Sequence, residues 1–148
     1  MNFTTFWTQL ALLENGISIT APLAVSVKRA YWGAPSQGVT DMPCVINALS
    51  EAERTLGFGG REQRVAVNVQ LIVARTTIED QRSAEIATAF WFAMKDKFDK
   101  DTGIGGSVAW STLRGSDPTV PVILEHAGQT YIGVSAVLDI HDVEEFSF

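Results

Sequence analysis

The most regular pattern in the chain runs from Arg64 to Arg75, where Val65, Val67, Val69, Leu71 and Val73 occupy every second position. In an extended strand successive side chains point to opposite faces, so this alternation predicts a strand with one buried face. Ile132, Val134, Ala136, Leu138 and Ile140 repeat the pattern within Tyr131–Val143 and predict a second such strand. Between them the period lengthens. Ala84, Ala87, Trp91, Met94 and Phe98 form one stripe, widened by Ile86 and Phe90, which predicts a helix from Thr77 to Phe98. Thr76 and Glu79 have the spacing of a capping box at its start. Phe92 falls on the opposite, polar side with Glu85, Thr88 and Asp96.

The rest of the chain reads as shorter elements. Phe3, Phe6, Trp7, Leu10 and Leu13 recur at helical spacing, with Asn2 placed to cap and Asn15-Gly16 to stop an N-terminal helix. Leu23–Trp32 and Cys44–Leu49 read as strands around a turn-rich loop, Gly33–Pro43. Ser50–Gln63 has neither period, and Gly57, Gly59 and Gly60 predict a mobile loop there. Val108–Leu113 and Val120–Glu125 read as strands, the latter turning through Ala127-Gly128-Gln129 into the last strand as a hairpin. The expected fold is a single α+β domain over residues 1–148. It has a mostly antiparallel sheet, with the N-terminal helix and one longer central helix packed on it. The central strand spans about 40 Å at 3.3 Å per residue, longer than most. Part of it is therefore expected to leave the core as a hairpin arm or to pair with a neighbour.

Composition narrows the function classes. Charged residues make up 19% of the chain and hydrophobic ones 46%, with four Trp and eight Phe. A surface lean in charge suits a protein that buries part of it against other subunits. The net charge is −6 and Lys and Arg form no run, which argues against binding nucleic acid through its phosphates. Cys44 is the single cysteine, so an intrachain disulfide and a cysteine metal cluster are excluded. No basic segment followed by an apolar stretch marks a signal peptide, and no apolar run reaches membrane-spanning length.

Catalytic chemistry finds little support. His126 and His141, the two histidines, flank one hairpin with Glu125, Asp139 and Asp142, a distribution typical of a polar strand face rather than a converging ligand set. Gly57-Phe58-Gly59-Gly60 lacks the Lys-Ser/Thr of a phosphate loop, and Asp99–Gly103 lacks the later Glu of a calcium loop. No nucleophile elbow surrounds Ser107, Ser111 or Ser116. No catalytic, metal or cofactor-binding residue is assigned, and no cofactor is expected. Aromatic and loop residues are the better candidates, for subunit contact or for the core. They are Tyr31, Trp32, Phe92, Phe146 and Phe148, together with Leu56, Phe58, Arg54 and Arg61 in the glycine-rich loop, where apolar anchors sit among mixed charges.

The layout resembles the tail-terminator family of long-tailed bacteriophages. The resemblance lies in the helix FTTFWTQLALLENG, the strand and loop VSVKRAYWGAPSQGVTDMP, the long strand leading into an aromatic-rich helix, and the closing YIGVSAVLDIHD strand. It covers nearly the whole chain through loose patterns rather than a signature. It implies a non-enzymatic virion protein, assembled in the host cytoplasm and sited at the head-proximal end of the tail. There it forms a hexameric ring that caps the tail tube, stops its polymerisation and meets the head–tail connector, while DNA passes without being read. An acidic lumen would suit that passage. Two other readings stay open: a small-molecule binder or enzyme on a ferredoxin-like α+β dimer, with Phe90 and Trp91 lining a pocket, and a tail-tube or neck subunit.

Overall fold

The computed structural model describes residues 2–57, 60–76 and 80–145. Its elements run α1 (Phe3–Asn15), β1 (Ser18–Ile19), β2 (Val25–Ser26), β3 (Arg29–Trp32), β4 (Cys44–Gly57), β5 (Gly60–Arg75), α2 (Asp80–Lys100), β6 (Trp110–Gly115), β7 (Val122–His126) and β8 (Gln129–Glu145). The fold is α+β. Strands β3, β4, β5, β8 and β6 lie side by side in that order, and β7 pairs with β8 beside β6. The β3–β4 pair is parallel and the other pairs are antiparallel, so the sheet is mixed.

The two alternating segments become β5 and β8, paired along almost their whole length from Gly60–Glu145 to Arg75–Tyr131. Their apolar positions share one face. Val65, Val67, Val69, Leu71, Val134, Ala136, Leu138 and Ile140 are all buried in one cluster with Phe6 and Leu10 of α1 and Ala87, Phe90, Met94 and Phe98 of α2. Asn2 Oδ1 accepts from the Thr5 amide at 3.0 Å, capping α1 as its sequence predicts. A bulge between Ile72 and Ala74 interrupts the β5–β8 register. Gly133 lies beside it, where a Cβ would stand 2.0 Å from the Leu71 carbonyl oxygen. A glycine is required there because the two backbones approach too closely for any side chain.

The opposite face is divided. Near β3 the loop 33–43 folds over it, and Val39, Cys44, Ile46, Ile72, Leu124 and Tyr131 form a second, smaller core. The Val39 amide donates to the Tyr131 hydroxyl at 3.2 Å and anchors that loop. The remainder of this face is open.

Several expectations are corrected. Leu23–Trp32 is two strands: β2 pairs with β1 in a separate two-stranded sheet, while β3 joins the main one. The loop expected over Ser50–Gln63 is instead mostly strand. β4 continues to Gly57, which pairs with Gly60, and β5 begins there. Backbone pairing on both sides of β5 holds this segment extended without an apolar period. Thr76 turns towards β8, with its hydroxyl oxygen 2.6 Å from that of Thr130. The capping box it was expected to form includes Glu79, which lies outside the described residues.

Candidate assembly surface

The feature that sets this surface is the edge strand β4. β3 pairs with β4 only from Cys44 to Asn47. Beyond Asn47, among the described residues, no strand lies on the outer side of β4, although its inner side stays paired with β5 as far as Gly57. Ala48, Leu49, Ser50, Glu51 and Ala52 are all exposed. The result is an open row of backbone donors and acceptors on the order of 30 Å long from Ala48 to Gly57. A bulge between Leu49 and Glu51 places these two on opposite faces. Leu49 pairs with Val67 of the helix-covered face, and Glu51 pairs with Ala66 of the open face.

On the open face, an unroofed cleft of about 410 Å³ runs across all four strands β4, β5, β8 and β6, with Glu51, Arg64, Asp139, His141, Thr112 and Trp110 along it. Alternation brings them together, because each lies one step from a residue facing the helices. Arg114 Nε donates to Asp139 Oδ2 at 2.7 Å. Glu62 lies 3.3 Å from Arg64 Nε and 3.5 Å from His141 Nδ1. The hydrogen bonds from His141 and Arg64 hold the Glu62 carboxyl below its usual range. The Trp110 ring tilts against His141 with centroids 5.2 Å apart. Asp139 and Glu62 are thus already engaged by Arg114 and Arg64 of the same face, and among the described residues no three His, Cys, Asp or Glu side chains converge on a point that could hold a metal. Such a shallow, ion-paired cleft is suited to recognition by contact, since acid–base chemistry needs water excluded.

His126 lies elsewhere on this face, with Nε2 2.9 Å from Gln70 Oε1, and burial pushes its pKa down. Cys44 is buried and its thiol is pushed up to about 12 by burial, so it is inert.

The residues singled out from sequence separate into three groups. Phe92 is 67% exposed on α2, as its place opposite the apolar stripe implies. Tyr31 and Trp32 are half-buried within their own subunit. Arg29 stacks its guanidinium 4.7 Å over the Tyr31 ring. Trp32 packs edge-on against Phe3, Phe6 and Trp7 of α1, with centroids 4.9, 6.4 and 5.6 Å away. Trp32 therefore docks α1 on β3. Arg54, Leu56 and Arg61 stand on the β4–β5 hairpin by their backbone. Phe58, Phe146 and Phe148 lie outside the described residues.

Two features escape a sequence reading that looks for chemistry. Leu49 is 56% exposed on the open edge of β4. Glu14, at the end of α1, is completely buried against Asn47 of β4. Glu14 follows Leu10 by four positions, which puts it on the apolar stripe of α1, and that spacing is the signal that could have found it.

Among the described residues no helix is long and apolar enough to cross a membrane. No protein-family model and no curated protein matches this chain.

Proposed function

We propose that this chain is a structural assembly subunit of the tail-terminator kind, forming a ring that caps a phage tail tube, ends its growth and presents the surface that joins the head. One observation carries the reading: among the described residues, no strand pairs with the outer edge of β4 from Ala48 to Gly57. An open edge of that length is a ready template for another strand, and monomeric proteins ordinarily shorten or cover such edges. The exposed Phe92 and Leu49 add apolar surface of the sort that subunit contacts bury. The acidic net charge suits a lumen through which DNA slides without sticking. The order of long strand, helix and closing strand that underlies the resemblance agrees with the same reading.

The test is capping itself. Tail-tube subunits polymerised with this protein should give short tubes closed at one end in negative-stain images, and without it open tubes of uncontrolled length. Tubes equally long in both samples would refute the capping role. Copolymerisation of this protein into the tube wall would favour a tube subunit instead, and a dimer that leaves tubes untouched would favour the small-molecule reading.

A further inference from the structure

The sheet has a second outer strand, β6, at the end opposite β4. Among the described residues the outer side of Trp110–Gly115 makes no strand pair, since β6 bonds only to β8. Two free edges on one sheet raise the question of whether they fit each other.

Direction is the first condition. β4 is antiparallel to β5, β5 to β8, and β8 to β6, so β4 and β6 run in opposite senses. A second copy moved sideways in the plane of the sheet therefore brings its β6 antiparallel to β4, the better-bonded arrangement.

Height is the second. Thr112 pairs with Asp139, Asp139 with Ala66, and Ala66 with Glu51. By the same steps Trp110 stands level with Glu53, Leu113 with Leu49, and Arg114 with Ala48. The stretch of β6 from Trp110 to Arg114 thus lies at the same level along the strands as the open stretch of β4 from Ala48 to Glu53. A closed ring admits no axial step between copies, because any step makes a helix instead. Level edges meet that requirement.

Side-chain class is the third. The level pairs share faces: Leu49 would join the helix-covered face next to Leu113, and Glu51 the open face next to Thr112. β6 contains no acid, so Glu51 would meet Thr112, with Trp110 and Arg114 diagonal to it, rather than carboxylates. Two β4 edges paired about Ala52 would instead set Glu51 opposite Glu53, a like-charge pair that costs stability.

We infer that the subunit seam is a strand pair in which the β4 edge, Ala48–Glu53, of one copy bonds antiparallel to the β6 edge, Trp110–Arg114, of the next. The partner is a second copy of this chain, joined head to tail. This seam rests on the ring reading above and adds to it the two surfaces that meet.

The experiment is a cross-link paired with a mass measurement. Within one copy residues 51 and 112 are three strand spacings apart, about 14 Å, too far for a disulfide, which needs Cα atoms within roughly 7 Å. Any disulfide between Glu51→Cys and Thr112→Cys therefore joins two copies, and the buried Cys44 does not compete. The double variant, oxidised with tube protein present, should give a non-reducing gel ladder that ends at the ring size. Each single variant should give none. In the unaltered protein, amide exchange at Leu49–Ala52 should slow by about an order of magnitude or more on ring formation, which keeps the test open if the cysteine variants misfold. Rings without a ladder, and with these amides unprotected, would overturn the seam while leaving the ring reading intact. Dimers formed by Glu51→Cys alone would overturn it in favour of β4–β4 pairing in a register that sets Glu51 opposite its own copy. The absence of any ring, with tube protein present, would overturn the ring reading and the seam together.

Discussion

Asn47 Nδ2 donates to Glu14 Oε1 at 2.6 Å, and both side chains are buried between α1 and β4. Asn47 Nδ2 also reaches the Tyr31 carbonyl at 3.1 Å, tying α1, β3 and β4 together at one point. Among the described residues, two atoms of this pair, Glu14 Oε2 and Asn47 Oδ1, have no hydrogen-bond partner. A carboxylate can only accept, so an ionised Glu14 leaves both oxygens wanting a donor. Burial pushes the Glu14 pKa up to about 8, against the smaller opposing pull of the Asn47 hydrogen bond. A pKa raised this way favours the protonated acid at neutral pH, which can donate where a carboxylate cannot.

Stability should accordingly depend on pH in a defined direction. The folded pKa lies above the ordinary value of 4.5, so the folded state binds more protons between these limits. Glu14 costs nothing below about pH 4.5, and its destabilising effect grows as pH rises to about 8 and then levels off. The loss should be on the order of a few kcal/mol. His126, with its pKa lowered, acts in the opposite sense, adding stability as pH rises through about 6.5. The clean measurement is the difference in urea midpoint between the unaltered protein and Glu14→Gln from pH 5 to pH 9. A difference that does not change with pH would mean Glu14 is ionised in the fold.

Glu14→Gln should raise stability at pH 8–9. Its amide keeps an oxygen for Asn47 Nδ2 and brings a permanent donor for Asn47 Oδ1. Asn47→Ala should lower stability by roughly 1–3 kcal/mol, because it strands a buried carboxyl and frees the Tyr31 carbonyl. Thermal or urea unfolding measures both.

Gly133→Ala should be among the most damaging small substitutions in the chain. The added carbon meets the backbone oxygen of Leu71, not a side chain that can swing away. About 1–3 kcal/mol or more of stability should be lost as the β5–β8 pair shifts. An unfolding midpoint unchanged from that of the unaltered protein would show that the bulge relaxes freely.

Phe92→Glu should leave the isolated domain folded, with stability within about 0.5 kcal/mol, because Phe92 is largely solvated in a single copy. A change in assembly without a change in circular dichroism would assign Phe92 to a contact between subunits. Unfolding would place it in a core that the single chain does not show.

How much of this was legible in the sequence follows from burial. The β5 and β8 alternations were legible because one face of each is covered by α1 and α2 and the other is not. The stripe of α2 and the Asn2 cap were legible for the same local reasons. The outer part of β4 was hidden. From Ala48 to Ala52 every residue is exposed, so no alternation of burial imprints a period, and Gly57 and Gly60 read as loop. The packing of Trp32 was not legible because its partners, Phe3, Phe6 and Trp7, lie far away in the chain. The open edge of β4 depends on where β3 stops pairing, and no local pattern in the sequence carries that information.

Native mass spectrometry, on the protein alone and with tail-tube subunits, addresses assembly most directly. The account predicts a closed ring of identical subunits of one defined size, six by the family resemblance, in at least the sample containing the tube protein. Monomers or simple dimers alone in both samples, at concentrations matching those inside an infected cell, would contradict it.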